Sequence, residues 1–220
     1  MVPIKLTILS VALMIGFLSF AQKSNLKKAN EEFDAYSYID ARQIYLNVVN
    51  NGYESAQVFK KLGDTYYFNS EYKEALSWYN KLMKAYPKDV DPIYYYRTAQ
   101  SLKSTGAYDE SKEMMGKFAS LSSDTEIAKN FLKDYASLDS LVDFKSKQFE
   151  VKNITELLSS SDFGPAFYGT DKLVYASASG NTKGDKVHQW TGLPYLDLYM
   201  AEIDEEWKIK DPKPLEGDIN

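Results

Sequence analysis

Residues 59–87 read FKKLGDTYYFNSEYKEALSWYNKLMKAYP. Leu62, Gly63 and Tyr66, then Tyr72, Ala75 and Tyr79, recur at the three- and four-residue steps of helical faces, and Pro87 closes the run. Small residues at Gly63 and Ala75 let two helices approach closely, while the rings of Tyr66 and Tyr79 fill the space beside them. Pro87 cannot continue a helix interior and ends the second helix. The stretch therefore predicts a helical hairpin.

Working outward, the plan returns on both sides. Upstream, LKKANEEFDAYSYIDARQIYLNVVNNGY (26–53) places Ala29, Tyr38, Ala41 and Tyr45 in the same register, with Ala41 34 residues before Ala75. Downstream, YYYRTAQSLKSTGAYDESKEMMGKF (94–118) repeats it with Ala99, Leu102, Gly106, Tyr108 and Ser111; Ser111 lies 36 residues after Ala75, a two-residue insertion in the connecting loop. About three such repeats are the minimum at which stacking buries a continuous core. One more helix is expected in SDTEIAKNFLKDYASLDSLVDF (123–144), with Ile127, Phe131, Leu132, Tyr135 and Leu138 as the apolar face that caps the array.

Counted from Ala56, the spacing of residues 62–87 resembles a tetratricopeptide repeat. That resemblance implies a mainly α, curved α-solenoid in which the first helix of each hairpin lines a concave groove that takes a protein partner. It carries the groove positions onto Lys60, Asp64 and Tyr67 in the middle repeat and onto Tyr96, Gln100 and Lys103 in the next. The plainer reading of each polar member is a solvated surface side chain.

The N-terminus, MVPIKLTILSVALMIGFLSFAQ, has one lysine, an apolar run from Leu6 and small residues at Ser19 and Ala21. It reads as a secretory signal peptide cleaved between Ala21 and Gln22. The apolar run falls short of the roughly 20 residues of a membrane span, so no transmembrane span is expected after its removal. Cleavage would also remove Lys5 and take the formal charge from −5 to −6.

That acidic balance lacks the clustered Lys/Arg stripe that neutralises phosphates, which excludes nucleic acid as the expected partner. The chain has no cysteine, which excludes disulfides, thiol catalysis, cysteine-based zinc sites and a lipidated N-terminal cysteine. The 18 tyrosines and 11 phenylalanines are read as core, because rings at helical spacing usually are.

Past Phe149 the period changes. SDFGPAFYGTDKLVYASAS (161–179) reads as strands and turns, LDLYMAEI (196–203) alternates as a strand, and EWKIK (206–210) offers a third short run. Gly164-Pro165, Gly169-Thr170-Asp171 and Gly180-Asn181 punctuate them, and the connection from Gly180 to Tyr195 is too long for a tight hairpin. FGPAF, DKLVYASAS and YLDLYMAEI with Trp207 resemble one blade of a WD-like β-propeller. A propeller needs about four or more blades of about 40 residues, so the blade is expected to be the first of a truncated propeller, and PLEGDIN at the end reads as a fragment.

Signal peptide (1–21), repeats with a capping helix (22–144) and blade-like segment (145–220) together resemble the N-terminal part of Bacteroidetes OmpA-family envelope proteins. The resemblance implies a non-catalytic scaffold in the periplasm, associated with the outer membrane and holding an envelope protein partner. It implies contact with peptidoglycan only through a C-terminal domain absent from this sequence. The alternative is an envelope hydrolase or sugar-binding protein whose ligand site lies in the missing propeller.

Catalytic signatures are few. The single histidine, His188, sits in the loop GNTKGDKVHQW and reads as an exposed loop residue; its glycines do not have the phosphate-cradle spacing. LSSSDF (158–163) has no nucleophile elbow. Asp109-Glu110 and Asp204-Glu205-Glu206 read as solvated acids outside any calcium-loop pattern. No enzyme activity, cofactor or metal is expected.

Overall fold

The computed structural model describes residues 22–122, 126–127, 129–131, 133, 161–179 and 186–217. The chain divides into two compact units, Met1–Phe144 and Lys145–Asn220. The described part of the first is helical, and that of the second is a β-sheet. The expected leader up to Ala21, and Leu132, Tyr135 and Leu138 of the expected capping helix, lie outside the described residues.

The helices are α1 (22–34), α2 (Tyr38–Asn50), α3 (Ala56–Tyr67), α4 (Tyr72–Ala85), α5 (Pro92–Ser104) and α6 (Tyr108–Leu121). Local chemistry sets several ends. Ser55, in extended conformation, accepts the Val58 N–H at 3.2 Å and caps α3. Pro87 opens a single 3₁₀ turn after α4, and Pro92 opens α5 at a position where its missing N–H costs nothing. Gly106 turns the chain into α6 at φ +84°, a left-handed conformation that glycine adopts without strain.

Each hairpin carries a small, buried pair twelve residues apart: Ala29 and Ala41, Gly63 and Ala75, Ala99 and Ser111. The tightest approach is in the middle. A Cβ added at Gly63 would stand 2.2 Å from Cε1 of the Tyr79 ring. At the third crossing the Ser111 hydroxyl donates to the Ala99 carbonyl at 2.6 Å, so a serine there keeps its hydroxyl satisfied in the core. A continuous cluster runs from Ala29 through Tyr45, Phe59, Leu62, Tyr79 and Leu82 to Tyr94. Ala99, Met115 and Phe118 form a second cluster with Phe131, from the described helical positions between 126 and 133. Ile127, one turn before Phe131, is 44 % exposed, so the apolar stripe expected there is buried at Phe131 and open at Ile127. The whole is a helical repeat array.

The sheet is an antiparallel meander in sequence order: β1 (Asp162–Tyr168), β2 (Lys172–Ser177), β3 (Asp197–Ile203) and β4 (Ile209–Pro214). Alternation puts Leu173, Tyr175 and Ser177 on one face of β2, with Tyr199 and Ala201 beside them on β3 and Ile209 on β4. The third run, expected at 206–210, begins at Ile209 instead. Asp204 Oδ1 accepts the backbone N–H of Glu206 (3.0 Å) and Lys208 (2.9 Å) and holds Trp207 at φ +62°, which turns the segment before the strand. Among the described residues no helix is long and apolar enough to cross a membrane.

Gly63→Ala sets two effects against each other. Alanine gains about 1 kcal/mol of helix propensity, but overpacking costs about 1–3 kcal/mol or more, and here the added atom meets a ring locked on both sides. Urea denaturation is expected to show net destabilisation of about 2 kcal/mol, whereas Gly116→Ala, on an exposed position of α6 where an added Cβ meets nothing within 4 Å, should not destabilise.

Candidate functional site

The six residues expected to line the groove occupy equivalent turns of α3 and α5: Lys60, Asp64 and Tyr67, then Tyr96, Gln100 and Lys103, each set at steps of four and three. Such steps place each trio along one stripe of its helix. α3 and α5 touch each other directly, so the two stripes are neighbours.

Asp64 differs from the expectation of a solvent-facing groove residue: it is 4 % exposed. Its Oδ1 accepts from the Tyr79 hydroxyl at 2.9 Å and from the Arg97 guanidinium, and its Oδ2 accepts from the Tyr94 hydroxyl at 3.4 Å. One carboxylate thus ties α3 to α4 and to α5. Burial pushes its pKa up, opposed by the charge of Arg97 and by the three hydrogen bonds. Arg97 is shifted upward as well: its desolvation is the largest single effect and lowers it, but the charge and hydrogen bond of Asp64 together with Tyr79 and Tyr94 outweigh it. Both directions follow from placement: the Arg97 side chain keeps 19 % of its surface exposed and Asp64 only 6 %, so the acid bears more of the dehydration. Burial likewise raises the Tyr79 and Tyr94 hydroxyls, which remain neutral donors.

The repeat explains why Asp64 is drawn inward. The residue after the small crossing residue is Asn30, Asp64 or Gln100, and the residue facing it from the second helix is Tyr45, Tyr79 or Met115. Tyr45 donates to Asn30 Oδ1 at 2.5 Å as Tyr79 donates to Asp64. The third hairpin has a methionine there, and Gln100 turns instead to the Tyr96 hydroxyl at 2.8 Å.

The other groove positions are half-buried and occupied from within. Lys60 Nζ lies 2.6 Å from Asp91 and 5.3 Å from the Tyr94 ring centroid. Tyr67 meets the rings of Phe68, Tyr72 and Tyr79, Tyr96 meets Phe118, and Lys103 Nζ lies 5.0 Å from the Phe131 ring. Arg97 was absent from the expected set, yet it stands among Tyr67, Phe68 and Tyr94 with its guanidinium 5.0–5.8 Å from their ring centroids. A single cation in the aromatic run YYYRTA is the sequence signal that could have found it. The result is an aromatic stripe carrying three cations and an amide.

In the sheet unit, a recess of about 480 Å³ is lined by Phe163, His188, Leu193, Pro194, Tyr195 and Leu196 among others. His188 is exposed; its ring meets Tyr195 edge-on, and Thr191 Oγ1 lies 3.4 Å from Nδ1. Among the described residues no three His, Asp or Glu side chains gather as metal ligands.

No family model matches the chain, and no curated protein sequence matches it. Solved structures with some likeness include the TPR domain of Arabidopsis OM64 (15% identity, 54% of this chain, 98% of that one, TM-score 0.47). The first TPR of Spaghetti (RPAP3), bound to an HSP90 peptide, is similar at 15% identity over 54% of this chain and 93% of that one, with a TM-score of 0.47. The Yersinia enterocolitica type III secretion translocator chaperone SycD is similar at 15% identity over 56% and 96%, with a TM-score of 0.45. At these scores the repeat assignment rests on the hairpins themselves.

Replacing Asp64 by alanine strands Arg97 and two tyrosine hydroxyls without their acceptor, and loss of one partner of a buried pair costs about 3–5 kcal/mol. Chemical denaturation is expected to show a loss of that size, and Asp64→Ala/Arg97→Met should cost less than the sum of its single changes. The sign with pH follows from the raised folded pKa. The stability Asp64 contributes is full below its unfolded value near 3.8 and declines as pH rises through the folded value. The difference between wild type and Asp64→Ala should therefore shrink with rising pH across that window.

Proposed function

We propose that this chain is a non-catalytic scaffold of the tetratricopeptide type that holds a protein partner along the inner stripe of α3 and α5. The observation that carries the reading is the gathering of Lys60, Tyr67, Tyr96, Arg97, Gln100 and Lys103 on the first helices of two neighbouring hairpins. Rings supply area at low entropic cost, and the cations and the amide supply donors for the carbonyls and carboxylates of a peptide chain. The Lys60–Asp91 pair does not close the stripe. Asp91 keeps 63 % of its side chain exposed, and an exposed pair of this kind is worth about 0–1 kcal/mol, so a partner carboxylate can replace it.

The partner belongs to the cell envelope in this reading, which rests on the N-terminal leader and on the resemblance of the domain order to OmpA-family proteins. The sheet is the opening blade of a WD-like propeller; its four antiparallel strands in sequence order suit that architecture. Peptidoglycan contact would come only through a further domain.

The test is charge reversal in the stripe, Lys60→Glu/Lys103→Glu, with Lys73→Glu/Lys84→Glu on exposed positions of α4 as the control of equal charge. Capture of the envelope partner by the full chain is expected to weaken at least about tenfold, about 1.4 kcal/mol, in the first variant alone, with helical circular dichroism unchanged in both. Equal binding by both variants would place the partner on another face.

A further inference from the structure

The recess of about 480 Å³ in the sheet unit is walled by Ser161 and Phe163 at the start of β1, by His188 and Leu193, and by Tyr195 and Leu196 ahead of β3. One wall is held by its own bonds. Val187 bridges Pro194, the His188 N–H donates to the Leu193 carbonyl at 2.9 Å and the Gly192 N–H to the His188 carbonyl at 2.7 Å, while the Leu193 N–H donates to Thr191 Oγ1 at 3.3 Å. A wall fixed in this way needs little further ordering when a ligand enters.

Three features of the recess restrict what it takes. The rings of His188 and Tyr195 stand at 84° with centroids 5.8 Å apart. Perpendicular rings form a corner in which a third ring stacks offset on one and turns its edge to the other, the two arrangements that aromatic pairs prefer. The rim is open and apolar: Phe163, Tyr195 and Leu196 are each more than half exposed, and exposed large apolar side chains gathered round a concavity mark a binding site. Charge is missing. Among the described residues no charged side chain lines the recess, so an ion entering it would lose hydration without compensation. Two polar groups stay open, since among the described residues the Ser161 hydroxyl and His188 Nε2 carry no hydrogen bond and neither is shut off from water.

We propose that this recess binds a small uncharged aromatic alcohol, with its ring in the corner of His188 and Tyr195 and its hydroxyl bonded to that of Ser161. The volume lies within the range of about 300–1,000 Å³ usual for small-molecule sites and exceeds what one side chain of a partner protein would fill. A saturated hydrocarbon gains nothing from the ring corner and leaves the Ser161 hydroxyl unpaired. The ligand would meet none of the residues of the helical stripe.

The experiment uses the full chain and three probes of similar size, followed by backbone NMR: naphthol, its saturated counterpart decahydronaphthol, and the anion naphthoate. Naphthol is expected to shift the amide resonances of Phe163, His188 and Tyr195 saturably. It should bind about fivefold more tightly than decahydronaphthol and at least about tenfold more tightly than naphthoate. Tyr195→Leu, which keeps an apolar side chain, should weaken naphthol about fivefold, while Tyr168→Leu, a similarly exposed ring outside the recess, should leave its affinity unchanged. Ser161→Ala is expected to weaken naphthol about threefold, with the melting temperature of all three variants unchanged. The comparison of probes on the wild-type chain needs no variant to fold. Equal loss in the two tyrosine variants would reduce binding to general adsorption, and equal affinity for decahydronaphthol would remove the ring corner. Naphthoate binding as tightly as naphthol would remove the selection against charge, and no saturable shift would leave the recess without this ligand. Each of these four results overturns the proposal.

Discussion

The close approach of α3 and α4 at Gly63 is the constraint on which the helical unit depends. With no Cβ at that position, the Tyr79 ring comes into the space beside Gly63 and its hydroxyl reaches Asp64 one residue on. Asp64 is then fixed deep between helices, where it can meet Tyr94 and Arg97 of the next hairpin. A steric fact inside one hairpin thus becomes a polar tie between two, and the tie orients the face of α5 that carries Tyr96, Gln100 and Lys103. The first hairpin shows the same contact in neutral form, Tyr45 to Asn30. Lys61, in the place that Arg97 takes one repeat later, pairs with Asp34 instead.

A buried ion pair is a weak source of net stability, because dehydration offsets most of the attraction. Its value here is in register. The two-residue insertion before the third hairpin leaves the stacking of hydrophobic surfaces free to slide, since apolar contacts have little directional preference. A carboxylate that needs donors from both Tyr79 and Arg97 admits one placement. The aromatic stripe inherits that placement, because Arg97 is at once the partner of Asp64 and the cation among Tyr67, Phe68 and Tyr94.

The hairpins were legible in the sequence because close packing of helices demands small residues at fixed intervals, and Ala41, Ala75 and Ser111 announce those intervals without reference to anything distant. Asp64 was misjudged for the opposite reason. Its position on the helix predicts a groove, while its burial is decided by Arg97, 33 residues away in the next repeat, and by a tyrosine on the facing helix. Arg97 went unnoticed for the same cause, as its worth lies in a long-range contact. In the sheet, alternation revealed β2 and β3 because both bury one face. It misplaced β4, since the Asp204 turn is made by side-chain-to-backbone bonds that leave no periodic trace.

The outer strands of the sheet bear on how it meets other molecules. β1 is interrupted by the Gly164-Pro165 irregularity, where register shifts between Phe163 and Ala166, and β4 carries Pro212 and Pro214 and a second shift opposite Met200 and Glu202. Prolines remove ladder donors, and bulges twist an edge away from a flat partner. Addition of a further strand is therefore disfavoured at both edges, although the backbone groups there are exposed. Recognition has to use side chains, either those of the faces or those at the strand ends. Lys172, Lys210 and Lys213 share one face with Glu202, and Lys210 is also held by Asp204, so that face keeps an excess of positive charge. The opposite face is apolar through Leu173, Tyr199, Ala201 and Ile209 and turns acidic only at the end marked by Asp162 and Asp197.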